Sequence, residues 1–145
     1  MTTIDVNELL ATEAIVNDAP HTHAAWSPGD TAHQGDLIFV GLKTLPATAE
    51  ARANRQLADG NTQGSRHVLA DGPDVFNCPP ADVAKAIKNL TGQAVAEQYI
   101  GPVFHTPATV THPEHGDHTW PEDGVVACVY QRNLDAEQRE QRVRD

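Results

Sequence analysis

Histidine is the residue type with the most chemistry to offer here: there are eight in 145 residues. His112, His115 and His118 recur at every third position, with Glu114 and Asp117 interleaved. His105 precedes them and His67 lies further upstream. Neutral imidazoles and carboxylates are competent ligands for zinc, iron or manganese, and three protein ligands with one open position make a hydrolytic or oxidative centre. His67, His112, His115 and His118 are the candidate ligands for such a metal, zinc or another divalent transition ion. Against this, Pro113 and Gly116 imply a turn, so the spacing does not place the three rings on one helix face. H-E-x-x-H is absent, and so is a cysteine pair. His21 and His23, with His33 nearby, sit in a Pro-flanked stretch and read as a solvated pair.

Other catalytic arrangements are weaker still. Ser65 and His67 are two apart on an expected strand, the wrong relation for a nucleophile and its base, and no G-x-S-x-G elbow is present. Cys78 has no activating histidine in a recognisable motif, and Cys128 lies in the apolar run VVACVY and is expected in the core. Arg66 could bind an anion or pair with one of the carboxylates. Trp26 and Trp120 are expected in loops, packing a core edge or meeting a partner. The expectation is that no residue is catalytic.

The elements that must position these groups are mostly short. Asp36–Leu42 (DLIFVGL) reads as a buried strand, Ser65–Leu69 as a strand ending at Asp71-Gly72-Pro73, and Tyr99–His105 and Ala108–Thr111 as two more. Gly101-Pro102 marks a bulge or an edge. Pro121–Gly124 reads as a turn into Val125–Arg132, the strongest strand. Pro80 at a first helical position, Val83, Ile87 and Leu90 at helical spacing, and Gly92 as a cap predict one clear helix. Weaker helices are expected over 4–16, over 47–58 and from Asp135. Residues 17–35 read as loop. The fold class expected is mainly β (α+β): a small β-barrel or sandwich with one or two short helices and long loops. It divides into an acidic arm (1–35), a β-rich core (36–133) and a charged tail (134–145). Leu37, Phe39, Ile87, Leu90, Val110, Val126 and Cys128 are the expected core.

The net charge of −10 opposes binding to nucleic acid or to anionic lipid, because phosphate groups would be repelled. No lysine or arginine precedes Lys43, and the arginines near the C-terminus alternate with Asp135, Glu137, Glu140 and Asp145. The first ten residues carry no basic region and no long apolar run, so neither a secretory segment nor a membrane span is expected. Two cysteines suit a reducing compartment.

Four strings resemble a family of small uncharacterised proteins of bacteria and their phages. They are Gln34-Gly35-Asp36-Leu37, the stretch NTQGSRHVL over 61–69, the stretch THPEHGDH over 111–118, and Val129-Tyr130-Gln131-Arg132 with Arg142-Val143-Arg144-Asp145. The likeness spans residues 34–145. It implies that Arg66, His67, Thr111, His112, Glu114 and His115 belong to a shared motif site. Some relatives carry Gly-His-x-His-Arg where this chain has Gly64-Ser65-Arg66-His67, which leaves one potential ligand fewer here. The reading reached is a non-enzymatic binding or assembly module, phage-encoded or virion-associated, located in the cytoplasm or the virion. Its expected partners are other proteins or copies of itself. The alternative is a small His-liganded metal protein or metalloenzyme.

Overall fold

The computed structural model describes residues 19–57, 67–71 and 74–130. The helices expected over 4–16 and from Asp135, most of the acidic arm, the charged tail and Arg66 lie outside the described residues.

Among the described residues eight strands form one sheet: β1 (His21–Thr22), β2 (Thr31–Gln34), β3 (Leu37–Leu42), β4 (Glu50–Arg52), β5 (Val68–Asp71), β6 (Val75–Asn77), β7 (Ile100–Thr111) and β8 (His118–Tyr130). Helix α1 (Pro80–Thr91) and a 3-10 turn (Glu97–Tyr99) separate β6 from β7. The order across the sheet is β2-β3-β8-β7-β6-β4. β1 adds to β8 in parallel, and β5 adds to β7 antiparallel.

The long β7–β8 hairpin is the spine, and each of its strands serves two partners along its length. β8 pairs with β1 at His118–Thr119 and with β3 from Val125 to Tyr130. β7 pairs with β6 at Val103–Phe104 and with β5 from Thr109 to Thr111. Register shifts at Ile100/Val103 and Thr106/Ala108 bend the spine, as extra residues in a ladder do. The first of these is the bulge expected at Gly101-Pro102. The sheet does not close into the barrel expected as one alternative, since β2 and β4 stand at opposite ends of its order.

Both faces are covered, which is why β3 and the second half of β8, Val125–Tyr130, read as unbroken apolar runs instead of alternating ones. On one face Leu37, Phe39, Leu57, Leu69, Phe104, Val110, Trp120, Val126 and Cys128 form one core. On the other face Val40, Leu42, Val103, Val125, Ala127 and Val129 meet Val83 and Ile87 of α1. Helix α1 begins with Pro80 at its first turn and ends at Gly92, whose φ of +77° is the left-handed cap that glycine adopts without strain. All seven expected core residues are buried except Leu90, which is only partly covered.

Three expectations fail. The helix over 47–58 is absent: β4 pairs with β6, and residues 55–57 pair with β5 through Leu57 N–H to His67 O (2.7 Å) and Leu69 N–H to Arg55 O (2.9 Å). That alanine-rich stretch favours a helix locally, but it has only one large apolar side chain, Leu57. Strand pairing buries Leu57 completely, so tertiary packing overrides propensity. The turn expected at Pro121–Gly124 lies inside β8, where the Thr106 hydroxyl bonds Glu122 O at 2.6 Å. The hairpin turns instead through residues 112–117. Finally, residues 19–35 are not all loop, since β1 and β2 belong to the same sheet as the core.

Candidate functional site

The strings quoted above meet at one end of the sheet. β2 and β3 are joined by the two residues Gly35-Asp36, with Gln34 opposite Leu37. Gly35 has a φ of +59° and Asp36 has none in the positive range, the pattern of a II′ hairpin turn with glycine first. The turn aims two side chains at one ring. Gln34 Oε1 lies 2.8 Å from His67 Nδ1, and Asp36 Oδ1 lies 2.9 Å from His67 Nε2. Gln34 is itself fixed, because its amide nitrogen donates to Val110 O (3.1 Å) and Gly116 O (3.0 Å), which leaves only its oxygen to face His67.

The His112 ring packs against His67 at 4.5 Å between centroids, and His115 packs against His112 at 4.6 Å. His112 Nδ1 accepts the Glu114 N–H at 3.0 Å, so the proton of its neutral ring sits on Nε2. The Thr111 hydroxyl reaches toward Val68 O at 3.5 Å, and the Glu114 side chain is exposed. The residues His67, Thr111, His112, Glu114 and His115 are neighbours in the fold; Arg66 is outside the described residues.

Burial pushes the His67 imidazole below its ordinary value. The Asp36 hydrogen bond and charge oppose this, and His112 and His115 reinforce it. A neutral ring carries one N–H for two oxygen acceptors, whereas the imidazolium would satisfy both. In either form each nitrogen of His67 faces an oxygen at hydrogen-bond distance. Neither has a lone pair directed at open space. The same holds for Nδ1 of His112. These two rings are engaged as internal connectors, which does not suit them as metal ligands. Among the described residues no set of three or more His, Cys, Asp or Glu side chains is arranged to hold a metal ion. Gln34 and Asp36, which organise the cluster, were quoted from the sequence only as part of a motif string; the signal was their place in a tight turn.

His118 belongs to a second group, not to the proposed ligand set. Its ring forms a triangle with those of His21 (4.7 Å) and His23 (5.0 Å), which are 6.3 Å apart, and His23 Nε2 lies 2.8 Å from His118 Nδ1. His21 and His23, read as a solvated pair, are instead stacked on β8, because β1 aligns them with His118. Trp120 lies within β8 and is 1% exposed, not in a loop, and Trp26 packs edge-on against it at 5.7 Å.

With this geometry established, the comparisons with known proteins are decisive at the level of family. Residues 33–125, well over half of the chain, match the family described as Domain of unknown function (DUF8820). The chain belongs to the DUF8820 family. No curated protein and no solved structure matches it. The matched span starts just before the Gln34-Gly35-Asp36 turn and contains every residue of the His67 cluster. In this DUF8820 domain no helix among the described residues is long and apolar enough to cross a membrane.

Gly35 carries a direct test of the cluster. A Cβ at this position would lie 2.7 Å from Nε2 and 2.8 Å from Cδ2 of His115, and the positive φ disfavours any L side chain. Gly35→Ala should therefore destabilise the domain by about 1–3 kcal/mol in urea unfolding. A change within about 0.5 kcal/mol, the usual surface value, would mean that His115 does not rest on this turn.

Proposed function

We propose that the domain is a non-enzymatic binding module that takes up an extended, neutral-to-basic segment of a protein partner by strand addition to β2. The observation that carries this reading is an edge strand beside an apolar groove. In the β2–β3 hairpin the pairs Gln34–Leu37 and Ala32–Phe39 are the hydrogen-bonded ones, and Asp30 continues the series by accepting Gly41 N–H at 2.8 Å. The main-chain groups of Thr31 and His33 therefore point away from β3, toward an edge that no other strand among the described residues pairs with. Their side chains border a groove of about 490 Å³ whose floor includes Ile38, Val40 and Val129 and whose wall includes Ile87 and Val95.

A strand on β2 would gain main-chain hydrogen bonds from Thr31 and His33 and would place alternate side chains over that groove, a recurrent peptide-binding mode. Asp30 and Asp36 flank β2, and no lysine or arginine lies between residues 19 and 42, which favours a partner without excess acid. The engagement of the His67 cluster in internal bonds also suits a binding role better than catalysis. A virion-associated setting is the more specific form of the proposal; its support is the motif resemblance to small bacterial and phage proteins.

Selection of short random peptides on the purified domain, followed by calorimetry, tests the reading. His33→Pro removes one outward N–H without breaking a ladder bond. It should weaken selected peptides by about tenfold, the equivalent of one main-chain hydrogen bond, while His33→Val retains binding. Failure to enrich any peptide, or equal binding by the proline variant, would refute the proposal.

A further inference from the structure

The segment from Ala19 to Ser27 crosses the first half of β8 and is held there by main-chain hydrogen bonds, two imidazoles and an indole. Its main chain contributes His21 N–H to Asp117 O and His23 N–H to Thr119 O, both at 2.8 Å. Ala25 N–H donates to the Glu122 carboxylate at 2.7 Å. Its side chains contribute His21, whose ring lies 4.7 Å from that of His118, His23, whose Nε2 lies 2.8 Å from His118 Nδ1, and Trp26, edge-on to Trp120. His23 also lies 4.9 Å from both tryptophan rings. His118 is 2% exposed, and its Nε2 has no hydrogen-bond partner among the described residues.

We infer that residues 19–27 form an acid-released strap, fastened at neutral pH by the His23–His118 hydrogen bond and the His21 ring against His118, and lifting from β8 when His118 and His23 take up protons. The groups acting on His118 are His23 and His21 from the strap, His67 from the segment before β5 and His33 from β2, all of them imidazoles. The Glu122 carboxylate is engaged with Ala25 N–H, and Asp36 is engaged with His67. Neutral His23 and His118 share one N–H between their facing nitrogens, whereas two protonated rings would set N–H against N–H and repel.

The energetics point the same way. Burial first, then the neighbouring imidazoles, hold His118 down at about 3, and burial with His21 lowers His23. With the strap lifted, both rings return toward the ordinary value near 6.5. The open form then binds more protons than the closed form below that value, so acid favours opening. Opening uncovers the Trp26–Trp120 contact and the edge of β8 at His118–Thr119. This inference does not depend on peptide binding at β2.

Amide hydrogen exchange by NMR, compared at about pH 7.5 and about pH 5 after correction for intrinsic rates, tests it on the full chain. Protection of the His21 and His23 amides should fall by at least about tenfold, since each pH unit below the imidazole value contributes up to tenfold. Amides in the β3–β8 ladder should keep theirs. Fluorescence should change over the same range, because both of the chain's tryptophans belong to this cluster. His118→Phe removes the central titrating group together with the His23 hydrogen bond, so its strap protection, lower at about pH 7.5, should change little between the two pH values. Unchanged protection in the wild type would overturn the inference. So would equal loss in His118→Phe, or loss of the β3–β8 amides together with the strap.

Discussion

Replacing Gln34 by leucine should destabilise the domain by about 3–5 kcal/mol, a large effect for a side chain of similar size. Gln34 is 1% exposed and bonds three groups through its amide: the carbonyls of Val110 and Gly116 and the Nδ1 of His67. Leucine fills much of the same space but leaves two carbonyls and a ring nitrogen without those bonds. Each abandoned buried group costs about 1–3 kcal/mol. These bonds join the β2–β3 turn to the end of β7, to the turn before β8 and to His67, so their loss disconnects four segments at once. Urea unfolding measures the effect. A loss below about 1 kcal/mol would mean that water or neighbouring residues replace the amide, and the cluster would then not be the lock described here.

Trp120→Ala should cost about 3–5 kcal/mol, the range for a large aromatic removed from a packed core. Trp120 is the largest fully buried side chain among the described residues. Its ring meets Phe39 at 4.9 Å, Phe104 at 5.4 Å and His23 at 4.9 Å, joining the core around Phe39 to the strap. Trp26 meets the same group from the strap side but is only partly buried, and Trp26→Ala should cost about 1–2 kcal/mol. Thermal or urea melts of the two variants give the comparison. Equal losses would show that the strap, not the sheet, is what Trp120 stabilises.

The parts of the fold that local physics decides were legible. β3 is bounded by a turn and made of apolar residues. α1 has proline at its start, glycine at its end and an apolar stripe between. The bulge at Gly101-Pro102 follows from residues that cannot continue a regular ladder. What was not legible depends on partners distant in sequence. Residues 50–57 have helix-forming composition, yet β6 and β5 supply ladder partners and a place for Leu57. Pro121 and Gly124 look like a turn, but β7 carries a matching irregularity at Thr106/Ala108 and the long strand runs on.

The candidate site was legible as a set of strings and not as a geometry. His67, His112 and His115 do converge. The period of three also suggested His118 as a fourth member, but the reversal after His112 assigns it to β1's histidines instead. Gln34 has no chemistry that singles it out in a sequence, and its importance comes from three bonds to residues remote along the chain.

The parallel pairing of β1 with β8 bears on the order in which the chain folds. The β7–β8 hairpin joins segments separated by a single short turn, so its closure entropy is small and it can form early. The His23–His118 contact spans 95 positions and requires β8 to exist first. The strap is thus a late addition to a nucleus built on the hairpin. Substitutions in it should leave the folding rate nearly unchanged and appear almost entirely as faster unfolding.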